Sequence, residues 1–182
     1  MQIVVRTIIG FAVGVLAFGF LLTLSGEVAR AAEEPLTDEQ KSHIRSECAQ
    51  IKGSLNQLHA SDALLRVNRG QVYEAISSKL MSPFNSRLGS AGFDNKAMAT
   101  HTAQYAAALA DFRVDYIQYE QKVSSALKVD CQQQPQQFYK AIIEARELRK
   151  SVHGDVQRLH RVMSDYGTSV NDFLLNFKRL GE

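Results

Sequence analysis

The sequence MATHTAQYAAALADFRVDYIQYEQKVSSA, residues 98–126, decides the fold class. Apolar and aromatic side chains recur along it at alternating spacings of four and three residues, and no glycine or proline interrupts it. This spacing is typical of a heptad-patterned α-helix that buries one face, and we expect Asp94 to cap its N-terminus. The buried face is predicted to carry Met98, Thr102, Tyr105, Leu109, Phe112, Tyr116, Tyr119, Val123 and Ala126.

The same spacing occurs on both sides of this helix. A first helix is predicted to begin after Thr37, which with Gln40 has the form of a capping box, and to end near Ser82 because Pro83 follows. A third helix is predicted to begin at Pro135. The predicted buried face of the first helix is Ile44, Cys48, Ile51, Leu55, Leu58, Leu65, Val72 and Ile76, and the same register places Asp62, Arg69 and Lys79 on this face. That of the third is Phe138, Ile142, Ala145, Arg149, Val152, Val156, Leu159, Met163, Tyr166, Val170, Phe173 and Phe177.

These three patterns predict an all-α fold for residues 32–182. Three long helices joined by the short connections 82–94 and 128–134 favour an antiparallel up-down-up bundle or coiled coil. One domain suits this length.

Residues 1–31 have the composition of an export segment. Thr7 to Leu24 contains no charged residue, and Arg6 stands before it. Ala29 and Ala31 flank one residue in the small-x-small form that precedes signal-peptidase cleavage. We therefore expect a signal peptide cleaved after Ala31.

An uncleaved membrane anchor is the alternative. The apolar run is about 27 Å long as a helix, close to the thickness of the hydrocarbon core. In both cases the rest of the chain is expected outside the cytoplasm, at the outer face of the membrane, in a periplasm or at the cell surface.

Cys48 and Cys131 are the two cysteines. In an oxidising compartment such a pair is usually a disulfide. If Met81 lies level with Asn95 across the first connection, Cys48 lies level with Lys128, close to Cys131. The helix register therefore also favours this bond.

The same register places Asp62 near Arg149, both on predicted buried faces. We expect an interior or half-buried ion pair, joined by Arg66, Arg69, Asp111 or Asp115. The pair is interpreted first as a device that fixes the register, and alternatively as a polar ligand site inside the bundle.

Two further groups of side chains have an ordinary and a functional interpretation. The cations of the third helix, Arg146, Arg149, Lys150, Arg158 and Arg161, are interpreted as a solvated face. An acidic polymer or an anionic lipid headgroup is the alternative partner. The tyrosines at positions 105, 116 and 119 are expected in the core, and lining a ligand slot is the alternative.

The first connection carries Phe84, Leu88 and Phe93 among turn-forming residues. These side chains are expected either to pack over the end of the bundle or to contact a partner.

Composition and motifs exclude several functions. Without residues 1–31 the net charge is +1, which gives no electrostatic basis for nucleic-acid binding. The sequence contains no nucleophile-base motif, no di-iron or haem motif, and no cysteine-histidine cluster for a metal. We expect no enzyme activity and no cofactor.

Three groups of residues resemble a known set of proteins. They are Asp62-x3-Arg66-Val67-Asn68-Arg69-Gly70 with Tyr73-Glu74 and Leu80-Met81-x-Pro83-Phe84-Asn85-x-Arg87, Phe112-Arg113-x2-Tyr116-x2-Tyr119-Glu120, and Asp130-Cys131-x3-Pro135-x2-Phe138-Tyr139. The chain is similar in these residues to exported helical proteins of ultrasmall, host-attached candidate-phylum (Saccharibacteria-like) bacteria. The resemblance implies a setting at the cell envelope, and no particular activity or site.

The sequence thus predicts a non-enzymatic envelope protein. It would act as a structural spacer or protein-interaction module, with self-association or an envelope protein as partner. It would contact the membrane through residues 1–31 if these are not cleaved. The alternative is an extracytoplasmic ligand-binding domain, a sensor or carrier, that uses the layer around Asp62 and Arg149.

Overall fold

The computed structural model describes residues 35–180, which are almost entirely helical and contain no β-strand. The all-α prediction is confirmed for this range. The predictions for residues 1–31, including Ala29 and Ala31, lie outside the described residues. The elements are α1 (Asp38–Ser46), α2 (Cys48–Ala75), a π-helical turn (Ile76–Met81), α3 (Ser82–Ser90), α4 (Lys96–Lys128) and α5 (Pro135–Leu180).

The start of α1 has the capping box that the sequence predicts. The Thr37 hydroxyl accepts a hydrogen bond from the Gln40 N–H at 3.2 Å, and the Gln40 side chain accepts one from the Thr37 N–H at 2.8 Å. Glu47 interrupts the helix between α1 and α2. The hydrogen-bonded path resumes at once, because the Ile51 N–H donates to the Glu47 carbonyl.

The prediction that the first helix ends near Ser82 is wrong. The helical path continues through the π-helical turn and α3 to Ser90. The Ser82 N–H donates to the carbonyl of Ser77, five residues back, and Pro83 lies in the first turn of α3. A first turn does not require the N–H that proline lacks, so Pro83 continues the path.

A short turn therefore joins α3 to α4. Gly92 has a φ of 78°, and the Phe93 N–H donates to the Leu88 carbonyl at 3.0 Å, which is a Schellman motif. Asn95 is the N-cap residue of α4, one residue later than predicted. The Asp94 carboxylate still accepts the Lys96 N–H at 3.1 Å.

Contacts between side chains show how the long helices run. α4 is antiparallel to both α2 and α5, and α2 is parallel to α5. α4 and α5 approach each other closely over much of their length, whereas α2 approaches α5 mainly through long side chains. The pairs are Asp62–Tyr119 and Glu74–Arg113 for α2–α4, Lys122–Glu144 and Asp111–Arg158 for α4–α5, and Asp62–Arg149 and Tyr73–His160 for α2–α5.

The core consists of three buried clusters along the helices. On α5 the buried face changes along its length: Asp155 and Val162 are buried, whereas Met163 is 40% exposed. A straight helix turns by about 20° per heptad relative to a strict seven-residue repeat, which explains this change. The clusters are Cys48, Cys131 and Phe138; Tyr116, Tyr119, Val123 and Ala145; and Tyr73, Met81, Tyr105, Ala108, Leu109, Phe112, Leu159 and Val162.

Candidate functional site

At one end of the molecule, Cys48 and Cys131 lie at disulfide distance, with their Cα atoms 5.7 Å apart. Both are buried, and they pack against Phe138 at the start of α5. The bond joins the first residue of α2 to the connection between α4 and α5. The N-terminal end of α2 is thereby held beside both other long helices.

Halfway along α2, Asp62 and Arg149 form the ion pair that the register predicts. Arg149 donates from Nε to Asp62 Oδ2 at 2.8 Å and from Nη2 to Oδ1 at 3.2 Å. The Asp62 side chain is 12% exposed and that of Arg149 is 51% exposed. The pair is therefore half-buried, with its carboxylate on the inner side.

A third member of this group, which the sequence pattern did not predict, is the Tyr119 hydroxyl, and it donates to Asp62 Oδ2 at 2.7 Å. Burial alone would raise the pKa of the Asp62 carboxyl. The hydrogen bonds from Arg149 and Tyr119 outweigh it and hold the pKa below its ordinary value. Burial, together with the bond to Asp62, raises the pKa of Tyr119. Asp62 is therefore an anion and Tyr119 a neutral donor at neutral pH.

The other residues expected around this pair lie in two different places. Arg66 extends across the Tyr116 ring, with Cζ 5.4 Å from the ring centre, and its buried Nε has no hydrogen-bond partner among residues 35–180. Asp111 instead pairs with Arg158 at 2.7 Å. The fourth candidate, Asp115, lies near Asp155 of α5 and contributes to the raised pKa of that carboxyl. Asp111 and Asp115 lie eight and four residues before Tyr119 on α4, so they are too far along the helix to meet Asp62, and their partners are Arg158 and Asp155 of α5.

A cleft of about 420 Å³ opens between α2 and α5 at the level of Asp62 and Arg149. Its floor includes aromatic side chains of α4. Its positive side chains are Arg66, Arg69, Arg146, Arg149 and Lys150. Its apolar side chains include Leu65, Tyr73, Phe112, Tyr116, Val152 and Val156.

The cleft combines residues for which the sequence predicted two different environments. Arg66 and Arg69 were expected beside Asp62, whereas Arg146 and Lys150 were interpreted as solvated. The spacing of positions 146, 150 and 153 could have predicted that these side chains line one site. They follow one another by four and three residues, so they share a helix face.

The tyrosines divide between the two expected roles. Tyr116 and Tyr119 are core residues that also line the cleft. Tyr105 is a core residue and does not line the cleft. Burial raises its pKa to about 12, and Tyr73 and Glu74 nearby add to the rise.

At the other end of the bundle, the three apolar side chains of the first connection pack on the helices. Leu88 is buried, and Phe84 and Phe93 make edge-to-face contacts with Phe173 of α5. Phe93 remains 37% exposed. These contacts agree with the interpretation that this segment covers the end of the bundle.

Asn85 is a buried polar residue at this end that the sequence analysis did not identify. Its Nδ2 donates to Thr102 at 2.7 Å, and its Oδ1 accepts from the Tyr166 hydroxyl at 3.0 Å. It thus connects α3 to both α4 and α5.

No protein-family model matches the chain, and neither the curated proteins nor the solved structures compared with it give a match. Among residues 35–180, no helix has both the length and the hydropathy needed to cross a membrane, and no three His, Cys, Asp or Glu side chains are grouped to hold a metal ion.

Proposed function

We propose that this chain is an exported, non-enzymatic ligand-binding domain: a three-helix bundle that takes a small ligand in the cleft between α2 and α5. The observation that carries the proposal is the cleft itself. It combines an apolar, partly aromatic floor with several converging positive side chains, which is the composition of small-molecule sites. Its volume of about 420 Å³ lies within their usual range.

The side chains in the cleft suit binding better than bond cleavage. Asp62 is engaged by Arg149 and Tyr119, so it is not available as a general base. Arginines stay protonated at all physiological pH values and act as anion-binding groups.

Export is supported by two independent features. Thr7 to Leu24 is an uncharged apolar run after Arg6, and Ala29 and Ala31 form a cleavage-site pattern. The Cys48–Cys131 pair at disulfide distance is typical of an oxidising compartment. N-terminal sequencing of the exported protein distinguishes cleavage after Ala31 from a retained anchor.

The ligand-binding proposal is tested by NMR titration with a mixed set of neutral, cationic and anionic fragments. We expect the signals of Tyr116, Val152 and Val156 to shift together. Leu65→Ser is expected to weaken these shifts, because Leu65 lines the cleft. Leu64→Ser is the matched control, since Leu64 is 64% exposed and lies outside the cleft lining. Hits scattered over the surface, or equal behaviour of the two variants, would contradict the proposal.

A second candidate function, the spacer or protein-interaction module, is favoured by a different observation. Leu64 and Val67 on α2 and Val114 and Ile117 on α4 are each about half exposed or more. Apolar side chains of this size on helix surfaces are candidates for contacts with a second copy or an envelope protein.

Sedimentation velocity tests this second function. If the chain self-associates through these residues, Ile117→Ser lowers the association constant. A concentration-independent monomer, together with an absence of cross-linked partners in the envelope, would count against it.

A further inference from the structure

We propose that the cleft binds a single-chain amphiphile with a phosphate head, the head lying among the arginines and the tail along the apolar side chains. This inference rests on the proposed ligand-binding function and names its ligand class.

The cleft has an excess of positive charge that the protein does not balance. Its one carboxylate, Asp62, is already paired with Arg149. Within residues 35–180, Arg66, Arg69 and Arg146 form no salt bridge. Lys150 pairs only with Glu147, and both side chains are at least 60% exposed, so water screens that pair strongly.

Arg66 shows where an anion would be bound. Its side chain lines the cleft, with Cζ over the Tyr116 ring at 5.4 Å from the ring centre, and no carboxylate within residues 35–180 pairs with it. An anionic oxygen in the cleft would balance this charge, and the guanidinium geometry suits phosphate oxygens in particular.

An apolar surface begins beside these cations. Leu65 on α2 and Val152 and Val156 on α5 line the cleft. Leu58 and Val72 lie seven residues before and after Leu65 and extend the same apolar line. Leu58 is 38% exposed, Leu65 49% and Val72 55%. This line is about 21 Å long, since an α-helix rises about 1.5 Å per residue. An alkyl chain lying along it would cover apolar side chains that water now contacts.

The charge and the apolar line together favour one ligand class over its simpler relatives. Inorganic phosphate would use the arginines and leave the apolar line exposed. A neutral amphiphile would cover the line and leave the positive charge of the arginines unbalanced. An amphiphile with a phosphate head satisfies both groups at once.

Isothermal titration calorimetry with four probes tests this inference. The probes are dodecyl phosphate below its micelle concentration, dodecyl maltoside, dodecyltrimethylammonium and inorganic phosphate. The protein is used as it is exported, in nanodiscs of a zwitterionic lipid if residues 1–31 remain attached. We expect one site for dodecyl phosphate, with at least about tenfold higher affinity than for the other three, falling as salt is raised.

Variants assign the binding to the cleft. Arg66→Ala and Arg69→Ala are each expected to weaken dodecyl phosphate binding about tenfold, and Arg66→Lys is expected to restore part of the loss. Arg161→Ala is the matched control, because Arg161 is exposed on α5 and does not line the cleft. Unchanged thermal unfolding curves show that each variant folds.

The outcomes separate this inference from the proposed function. Equal affinity for dodecyl maltoside, with loss in Leu65→Ser, would overturn the phosphate head and leave the ligand-binding function standing. Equal affinity for inorganic phosphate would overturn the role of the tail. Equal weakening by Arg66→Ala and Arg161→Ala, or no binding of any probe, would overturn the inference, while the fragment titration still decides the function.

Discussion

The α4–α5 interface is closed and the α2–α5 interface is open, although all of these helices carry the same heptad spacing. The helices α4 and α5 lie close together, and their buried side chains include Tyr105, Val123, Ala145 and Leu159. In contrast, α2 carries the charged residues Asp62, Arg66 and Arg69 where it lines the cleft beside α5.

Spacing determines which face of a helix turns toward its neighbours, and side-chain chemistry determines how near the neighbour comes. Burying three charged groups without full compensation is costly, so at this level α2 meets α5 through a half-buried ion pair. The remaining space is the cleft. The open face is thus a direct result of charged residues at positions where the repeat calls for apolar ones.

The largest expected effect concerns the disulfide, because the charged face of α2 contributes little attraction to α5. The double variant Cys48→Ser, Cys131→Ser is expected to lose about 4 kcal/mol of unfolding free energy, given the 83-residue separation. Urea unfolding measures this loss. Hydrogen exchange is expected to increase more in α2 than in α4 and α5; a uniform increase would contradict the comparison. Reduced wild-type protein is the control and should match the variant.

Two leucine-to-alanine variants compare the closed α4–α5 interface with the open α2–α5 interface. Leu159→Ala removes a fully buried side chain from the closed interface and is expected to lower the free energy of unfolding by about 3 kcal/mol. Leu65→Ala on the open face, where the side chain is 49% exposed, is expected to cost less than about 1 kcal/mol. Unfolding curves in urea give both values. Similar costs would show that the cleft is closed in solution.

The ion pair at the edge of the open face is tested by Asp62→Asn. We expect a loss of about 1–2 kcal/mol at pH 7, since charged hydrogen bonds from Arg149 and Tyr119 are weakened and Arg149 is half exposed. The pKa of Asp62 is lowered in the folded state, so its contribution is present above the unfolded pKa of about 3.9 and is lost as pH falls below it. The difference between wild type and variant should therefore shrink in acid. A difference that stays constant to pH 2 would exclude the carboxylate as its source.

The smallest effect is expected on the closed face, at Asp155. Burial raises the pKa of this carboxyl and Asp115 adds to the rise, although Arg158 opposes it. A raised folded pKa means that the ionised group destabilises the fold near pH 7, and that stability is gained as pH falls through the folded pKa toward the lower unfolded pKa. Asp155→Asn is expected to stabilise by up to about 1 kcal/mol at pH 7, with the advantage declining in acid. Thermal unfolding measures it, with Asp165→Asn, an exposed position of the same helix, as the control. A loss of stability greater than 1 kcal/mol would show that the Arg158 bond outweighs burial.

The features that local sequence determines were predictable. Thr37 with Gln40 caps α1, and Pro135 begins α5, because each depends on neighbours within one helical turn. The Asp62–Arg149 contact was predictable for a different reason, namely that two opposite charges interrupt two apolar faces at matching levels.

The features that depend on helix rotation and tertiary contacts were not predictable. Pro83 indicated a helix end, but Asn85, held by Thr102 and Tyr166, keeps α3 helical behind it. The cleft also depends on the direction in which Arg146 and Lys150 point from α5. That direction drifts along a straight helix relative to a strict seven-residue repeat, and a heptad count does not include the drift.

The π-helical turn at Ile76–Met81 has a consequence for the spacing of the whole α2–α3 segment. Its wider hydrogen-bonded ring holds one more residue than an α-helical turn, so residues beyond it are displaced by about 100° around the axis. This phase difference allows α2 to present its arginines to the cleft while α3 turns Asn85 and Leu88 inward. A chain one residue shorter between Tyr73 and Asn85 would rewind this turn and rotate those two side chains away from their partners. At this point the number of residues constrains the fold as strongly as their identity does.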